Sequence, residues 1–330
     1  MSERHIVTTK TPFRITFTGG GTDLPSYYKN YGTGATVSAT INSYVYITLA
    51  KHFFNNEFRV SYSTTENAIT ELDQIKHPTV REAMRLLDIE KGLQLVSITE
   101  IPSKGTGMGS SSSFLVGVLN ALHAWKGEII SPKKLAEEAV YIEREILKEY
   151  GGKQDQYAAT YGGINLIEFF SNDEVSVKKL PLSNKSKKEL ESRLLLFYTG
   201  KERSSTDIHK KQEIQINKNI TNYKRMTELA YETSEALAET NWDKLGSLLN
   251  ENWNLKKQLS DGISDTTIDS YYQKAISSGA IGGKLIGAGG SGFLLFVVDP
   301  EKRESVKTAL GLKVHDFEIE QNGSRVVYVD

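Results

Sequence analysis

A glycine- and serine-rich stretch that leads directly into an apolar segment constrains the fold of this chain most. It runs from Pro102 to Ser113, and the apolar segment that follows ends at Trp125. Glycines at alternate positions allow backbone conformations that a Cβ atom forbids, so consecutive N–H groups can converge on one anion. Serines in the first turn of a helix add free N–H groups and the positive end of the helix dipole. The pattern predicts a cradle for nucleotide phosphates, formed by Lys104, Gly105, Thr106, Gly107, Met108, Gly109, Ser110, Ser111 and Ser112.

Two other structures are compatible with this stretch. A flexible linker is one, but the apolar residues that follow recur at helical spacing and favour a buried helix. They are Phe114, Leu115, Val118, Leu119, Leu122 and Trp125. An ordinary N-capped helix without a ligand is the other, and the residues leave it open. The serine hydroxyls also offer neutral oxygen ligands for a hard cation such as Mg²⁺.

Composition excludes several classes of function. A net charge of −1 gives no global attraction to nucleic acid or to an acidic membrane surface. The absence of cysteine excludes disulfides and thiolate metal sites, and is compatible with a reducing cytoplasm. The first nine residues lack the apolar core of a signal peptide, and the longest apolar run, 293–298, is too short to span a bilayer. We therefore expect a cytoplasmic protein without nucleic-acid or membrane partners.

The order of predicted elements favours an α+β fold of two domains, residues 1–180 and 181–330, joined in a polar, lysine-rich segment. Alternating or β-branched runs predict strands at 13–18, 37–50, 58–63, 93–101, 164–169, 194–198 and 293–298. Helical periodicity predicts helices at 78–88, 114–125, 132–149, 206–239, 242–258, 266–278 and 300–310. Asn322-Gly323 predicts the turn of a final hairpin.

Two carboxylates stand out. Glu143 falls in the middle of the apolar stripe of the helix at 132–149, where a charge is costly without a partner. A metal ion would resolve this, as would an Arg or Lys partner or a face that is only partly buried. Asp155 follows a glycine pair at the start of a short helix. It either stabilises the helix dipole or orients a hydroxyl that attacks a γ-phosphoryl group.

Some familiar motifs are absent. The segment 287–292 satisfies a G-x-G-x-x-G pattern, but a strand follows it instead of a helix, so it is not a dinucleotide fingerprint. No G-x-x-x-x-G-K-[ST] sequence occurs, and the six histidines show no metal-binding spacing.

Three segments together resemble the GHMP kinases, which include galactokinase, homoserine kinase and mevalonate kinase. They are Thr11 to Ile15 with Gly19 to Pro25, the glycine- and serine-rich loop, and Lys284 to Gly292. The resemblance implies an N-terminal domain like the second domain of ribosomal protein S5, a ferredoxin-like C-terminal domain, and an active site between them that uses ATP and Mg²⁺.

The resemblance also implies roles for individual residues. The loop would bind ATP, with Ser111 and Glu143 as Mg²⁺ ligands. Asp155 would be the catalytic aspartate, with Arg14 beside it. At the substrate it places Gly20, Gly21, Thr22, Asp23, Gly289 and Gly290. A substrate that already carries a phosphate would also need a basic clamp, for which Lys104, Lys153, Lys201 and Arg203 are the candidates. Arg203 is the first choice because its planar fork suits phosphate, and a solvated charge after a strand is the alternative. Gly20 and Gly21 stand where galactokinase has an acidic residue and a histidine. This difference argues against galactose as the substrate and leaves more room near the substrate.

Within the family, Gly19 to Tyr28 is most similar to kinases of D-glycero-D-manno-heptose 7-phosphate. Those enzymes phosphorylate the anomeric hydroxyl to give a 1,7-bisphosphate, a precursor for bacterial capsule or lipopolysaccharide heptose. A fucokinase-like or other sugar 1-kinase, and a catalytically silent sugar sensor on the same fold, remain alternatives. The expected partners are ATP and a sugar phosphate. The oligomeric state is left open, with a homodimer as one option.

Overall fold

The computed structural model describes residues 5–102, 105–200 and 206–330. Within them, two β-sheets carry the helices. In chain order the strands are β1 (Ile6–Thr18), β2 (Gly34–Lys51), β3 (Phe58–Ser61), β4 (Thr65–Ile69), β5 (Leu93–Thr99), β6 (Ile164–Phe169), β7 (Val175–Lys179), β8 (Leu194–Tyr198), β9 (Ala280–Leu285), β10 (Phe293–Val298), β11 (Lys313–Val314) and β12 (Arg325–Val329).

Helices connect these strands and pack against both sheets. In chain order they are α1 (Pro25–Tyr31), α2 (Pro78–Leu86), α3 (Ser110–Lys126), α4 (Pro132–Val140), α5 (Gln154–Tyr161), α6 (Asn184–Arg193), α7 (Thr206–Ile214), α8 (Ile220–Ala238), α9 (Trp242–Lys257), α10 (Thr266–Ser277) and α11 (Arg303–Leu310). A π-helical turn, Tyr141–Ile146, continues α4. This mixture of helices and mainly antiparallel sheets is the predicted α+β class.

The first sheet is built around the long strand β2. Strand β1 pairs with it along most of its length, while β5 and β6 share its other edge end to end. The strand order is β12-β1-β2-β5-β3-β4, and β7 extends the sheet beyond β6. Only the β3–β5 pair is parallel among the described strands. The 18 residues of β2, at about 3.3 Å each, are long enough to hold two strands on one edge.

The second sheet has the order β11-β8-β10-β9 and is antiparallel throughout. All six residues of β10 are buried, which explains why the longest apolar run of the sequence lies there. A strand of this kind carries apolar residues on both faces because both faces are covered.

Helix α3 is buried along most of its length against β1 and β2. Gly117 allows this approach, since a Cβ there would lie 3.0 Å from Thr11 Oγ1. Thr9 Oγ1 donates to the Gly117 carbonyl at 2.9 Å and ties the helix to β1. The helix therefore starts at a fixed place, beside the middle of β1.

The structure differs from the predicted elements in several places. The region 206–239 forms two helices, because a 3₁₀ turn at Ile216–Lys218 separates α7 from α8. The helix predicted at 132–149 changes to π-helical turns at 141–146. Strand β9 was not predicted, because Gly282 and Gly283 weaken its strand signal; a Cβ on either residue would collide with its neighbours.

The predicted C-terminal hairpin is wrong. Strand β12 pairs antiparallel with β1 in the first sheet, and Gly323 packs where a Cβ would collide with the Thr160 carbonyl. The polar segment after β6 also contains β7 and α6. The second sheet begins with β8, close to the expected boundary after residue 180, but β12 belongs to the first sheet. The domain limits themselves stay a prediction.

Candidate active site

A cavity of about 590 Å³ lies where the loop before α3, the start of α5 and the loop after β9 meet. Its size is typical of sites for small molecules. Its walls combine residues from both halves of the chain, including Arg14, Asp155 and Lys284. Elements far apart in sequence therefore build one site.

The loop before α3 has the backbone geometry that its glycines allow. Gly105, Gly107 and Gly109 have φ values of +68°, +76° and +71°, and Gly109 caps the helix that starts at Ser110. L-residues rarely adopt these angles. The first N–H groups of α3 open onto the cavity with the positive end of the helix dipole, which is an arrangement that binds phosphate.

The glycine-rich loop after β9 supports this cradle. A Cβ on Gly107 would collide with the Ile286 carbonyl, and one on Gly292 would collide with the Thr106 carbonyl. Ser291 Oγ donates to the Gly105 carbonyl at 3.3 Å. The two loops therefore touch through their backbones, and Gly289 also lines the cavity.

Arg14 and Asp155 form a two-pronged ion pair at the cavity wall. Arg14 Nε donates to Asp155 Oδ1 at 2.8 Å, and Arg14 Nη2 donates to Oδ2 at 2.6 Å. Arg14 Nη1 donates to the Gly107 carbonyl, and the Arg14 N–H donates to the Met108 carbonyl at 3.2 Å. The arginine side chain is 6% exposed and the aspartate 25% exposed. The arginine thus fixes the carboxylate beside the loop while the carboxylate faces the cavity.

Asp23 is held by the same helix start. Its Oδ2 accepts from the Gln154 N–H at 3.1 Å, and its Oδ1 accepts from Gln154 Nε2 and from the Gly21 N–H, each at 3.0 Å. Gly152 is required here, because a Cβ would collide with the carboxylate. Asp23 therefore caps α5, and these bonds use three of its roughly four acceptor positions.

Glu143 lies in the π-helical turn and is 5% exposed. It accepts from Ser112 Oγ at 3.0 and 3.2 Å and from Gln156 Nε2. Burial, and next the charge of Glu149, raise its pKa to about 8, although the two hydrogen bonds act in the opposite direction. Among the described residues no Lys or Arg forms an ion pair with it. A buried carboxylate without a cation fits a divalent ion at this place.

Ser112, not Ser111, is the serine that contacts Glu143. The helical turn directs Ser112 inward, where it is 6% exposed, while Ser111 is an exposed residue of the cavity wall. Four consecutive serines at the start of α3 carry no pattern that says which of them turns inward, so the two could not be distinguished from the sequence. Ser112 and Glu143 form a hydrogen-bonded pair in the structure, and the role of Ser111 as a metal ligand stays a prediction.

Two buried lysines bring further positive charge to the cavity. Lys256 from α9 is 4% exposed and donates to the Gly287 carbonyl, and Lys284 from β9 is 1% exposed. Burial, and next the charge of Arg14, lower the pKa of Lys256 to about 8. Burial and the charges of Lys256 and Arg14 lower the pKa of Lys284 strongly. Cations crowded in this way gain stability when a polyanion binds among them.

The structure brings most of the predicted site residues to the cavity but not all. Gly20, Gly21 and Asp23 line it, whereas Thr22 bonds to the backbone of Ala35 in β2. Met108 is a core residue and Gly290 bonds to the Ile263 carbonyl, both outside the lining.

Among the basic residues predicted to clamp a substrate phosphate, Lys153 is the one that the structure describes. Lys153 points to Asp173, with Nζ 2.7 Å from Oδ1, and lies over the Tyr28 ring. This placement argues against Lys153 as a phosphate clamp. Lys104, Lys201 and Arg203 lie outside the described residues.

Sequence reasoning did not assign a role to Lys256, Lys284, His209 or Gln212, all of which line the cavity. Gln212 had a usable signal. It lies four residues after Ile208 and four before Ile216, so a polar residue occupies the apolar stripe, as it does at Glu143. Lys256 and Lys284 gave no comparable signal, because lysine is common on exposed faces of helices and strands.

Known proteins resemble this chain in sequence. Residues 75–163 match the family described as GHMP kinases N terminal domain, and residues 233–315 match GHMP kinases C terminal. The chain is 34% identical over 332 residues to D-glycero-alpha-D-manno-heptose 7-phosphate kinase of Campylobacter jejuni subsp. jejuni, covering 96% of this chain and 97% of that protein.

Solved structures show the same fold. A D-glycero-D-manno-heptose 1-phosphate kinase from Bacteroides thetaiotaomicron matches with a TM-score of 0.81 at 27% identity, over 98% of this chain and 99% of that one. Galactokinase from Lactococcus lactis matches with a TM-score of 0.76 at 17% identity, over 98% and 95%. In the described residues, no helix has the length and apolar character needed to cross a membrane.

Proposed function

The chain belongs to the GHMP kinase family, and we propose that it transfers the γ-phosphoryl group of ATP to the anomeric hydroxyl of D-glycero-D-manno-heptose 7-phosphate. The product is the 1,7-bisphosphate. The observation that carries the proposal is the Arg14–Asp155 pair beside the loop that ends at Gly109. It places a fixed carboxylate next to a predicted phosphate cradle, as transfer to a hydroxyl requires.

The carboxylate of Asp155 is the group that handles the acceptor proton. It faces the cavity, while Arg14 holds both of its oxygens from the opposite side. In the proposed step the anomeric oxygen attacks the γ-phosphorus, its proton passes to Asp155, and the bond to the β-phosphate oxygen breaks with its electron pair on ADP. An anomeric hydroxyl is more acidic than an ordinary alcohol, so a carboxylate suits it better.

Charge stabilisation comes from the loop and the buried cations. The N–H groups at the start of α3 and the side chains of Lys256 and Lys284 surround the space in front of Arg14. Fixed donors of this kind do not reorganise as negative charge shifts during transfer. Glu143 and Asp155 both line the cavity, and binding of a sugar alone would need neither carboxylate, which speaks against the silent-sensor alternative.

Mg²⁺ fits the carboxylate at Glu143. The Glu143 carboxylate would hold the ion through oxygen ligands, together with the hydroxyl group of Ser112 and that of Ser111 on the neighbouring wall. When bound, the ion neutralises terminal phosphate charge and fixes its orientation. Glu143 has to lose its proton before it can serve as a ligand.

The identity of the sugar rests on the relatives. The Campylobacter relative is named a heptose 7-phosphate kinase, and the Bacteroides structure is titled a heptose 1-phosphate kinase. We assign the 7-phosphate as substrate because the Campylobacter protein is the more similar of the two in sequence, at 34% identity against 27%. ATP and a sugar phosphate as substrates place the reaction in the cytoplasm, and the product class suits capsule or lipopolysaccharide precursors.

An ADP-release assay with four acceptors tests the proposal. The panel is heptose 7-phosphate, L-fucose, galactose and mevalonate, each with ATP and Mg²⁺. We expect turnover with heptose 7-phosphate, and a phosphorus NMR signal of a second phosphate on the anomeric carbon. Preferred turnover of another acceptor, or a product without an anomeric phosphate, would overturn the assignment.

A further inference from the structure

Helix α7 presents two polar side chains to the cavity, His209 and Gln212, one helical turn apart. Gln212 is 1% exposed, and neither its amide oxygen nor its amide nitrogen has a hydrogen-bond partner among the described residues. Nδ1 of His209 is likewise buried and unpartnered there. Native proteins rarely leave buried polar groups unpaired, because each one costs stability. Burial lowers the pKa of His209, and Gln212 lies close enough to raise that pKa in part, but the two side chains form no hydrogen bond that satisfies these three atoms. The three atoms on one helix face therefore point to a ligand that pairs with them.

The position of these side chains places that ligand near Asp23. An ideal Cβ on Gly151 would lie 3.8 Å from His209 Cδ2 and 4.0 Å from its Nε2, so the imidazole packs against the turn that holds Asp23. Asp23, Lys256 and Asp155 are its electrostatic neighbours. The ligand that meets α7 is therefore also within reach of Asp155.

The chemistry of the two side chains selects hydroxyl groups. Burial lowers the pKa of His209, which leaves a neutral imidazole with one donor and one acceptor nitrogen. The Gln212 amide also offers both a donor and an acceptor. A phosphate or carboxylate oxygen only accepts hydrogen bonds, whereas a hydroxyl group both donates and accepts them. Two neutral groups of mixed character suit a polyhydroxylated ring better than an anion.

We propose that His209 and Gln212 bind hydroxyl groups of the sugar acceptor and hold the ring between α7 and Asp23. The inference rests on the proposed function, in that it requires a sugar as acceptor. It assigns selection for a polyhydroxylated ring to a helix of the second half of the chain. An acyclic acid with one hydroxyl would leave the imidazole and the amide unpaired, and so would bind poorly.

The test replaces each group by an apolar one of similar size. Gln212→Met and His209→Phe are compared with wild type and with Gln215→Met, which repeats the substitution three residues on at a position that does not line the cavity. Wild type is first assayed with the four acceptors to identify the one it turns over. That acceptor is then used for the KM and kcat of each variant, together with KM for ATP and the melting temperature without ligands.

We expect KM for the sugar to rise about tenfold or more in Gln212→Met, as loss of a buried polar contact does, while KM for ATP and the control stay within about twofold. The melting temperature without ligands should not fall, because the variant removes unpaired polar atoms. A lowered melting temperature with unchanged KM for the sugar would show a structural role and overturn the inference. A series of monodeoxy sugars adds a second readout: one analogue should be poorer for wild type but not for Gln212→Met.

Failure of the inference is distinguishable from failure of the proposed function. If wild type turns over a sugar other than heptose 7-phosphate, the proposed substrate falls and the KM comparison on that sugar still decides the role of α7. If mevalonate is the preferred acceptor, or no acceptor is turned over, both are overturned. If heptose 7-phosphate is turned over and KM for the sugar is unchanged in both variants, only the inference falls.

Discussion

Replacement of Glu143 by Gln should stabilise the metal-free protein at alkaline pH while removing its response to Mg²⁺. The side chain is buried, and its pKa in the folded protein is about 8 against an ordinary value of 4.5. A raised carboxyl pKa means that the folded state holds the proton longer than the unfolded state does. Stability is therefore lost as pH rises from about 4.5, and the loss stops near pH 8.

The gap between the two pKa values sets the magnitude. Between pH 4.5 and 8 the free energy of unfolding falls by about 1.4 kcal/mol per pH unit, which amounts to about 5 kcal/mol at pH 8 and above. That is a ceiling, because a buried charge draws water and shifts its surroundings, and we expect about 1–3 kcal/mol. The amide introduced at position 143 can form hydrogen bonds in this place. Ser112 Oγ can donate to its oxygen. The side-chain amide of Gln156 can rotate by half a turn, so that its Oε1, which is buried without a partner among the described residues, accepts from the new NH₂ group.

Denaturant unfolding with a metal chelator, at several pH values between 5 and 8, measures this effect. The free energy of unfolding of Glu143→Gln should rise steadily relative to that of wild type as the pH increases over that range. Glu145→Gln is the matched control, because Glu145 lies in the same turn but is exposed. Added Mg²⁺ should stabilise wild type and the control but not Glu143→Gln. A Glu143→Gln protein less stable than wild type at pH 8, or a difference independent of pH, would refute the reasoning.

Three further predictions concern the same cavity. Asp155→Asn should fold and bind ATP normally but lose about 10²–10⁴ in kcat; turnover near wild type in the ADP-release assay would remove its assigned role. The affinity for Mg²⁺ should rise about tenfold per pH unit from pH 6 to 8 and then level off, because Glu143 must lose its proton to bind the ion; titration calorimetry that shows no pH dependence below 8 would contradict this. Gly152→Ala should raise KM for the sugar and cost about 1–3 kcal/mol in denaturant unfolding, since its Cβ would collide with Asp23; Gly20→Ala, whose Cβ has 3.7 Å to the nearest atoms, should unfold like wild type.

The sequence predicted the site best where one residue type contradicted its surroundings. Glu143 on an apolar stripe and three alternate glycines before an apolar helix are local patterns, and both lie at the cavity. The choice between Ser111 and Ser112 depended on the rotation of α3 relative to the π-helical turn. That rotation is a tertiary property, which no local pattern contains.

Long-range pairing explains most of the remaining differences. Strand β9 contains two glycines: Gly282 leaves space for helix α9, and Gly283 leaves space for Phe296 of β10, with which β9 pairs. The Asn-Gly pair suggested a local turn, but residues 325–329 pair instead with a strand more than 300 positions earlier. Lys256 and Lys284 are recognised as site residues only once the second half of the chain folds against the first.

The pairing of β12 with β1 has a consequence for biogenesis. The outer strand of the sheet that supports the loop before α3 lies more than 300 residues after its partner β1, so residues 325–329 have to leave the ribosome before that sheet is complete. Contacts of such wide sequence separation form late and slowly. A first half that emerges earlier would expose the flank of β1 until residues 325–329 have emerged, and there a chaperone or an invading strand could compete with the native partner.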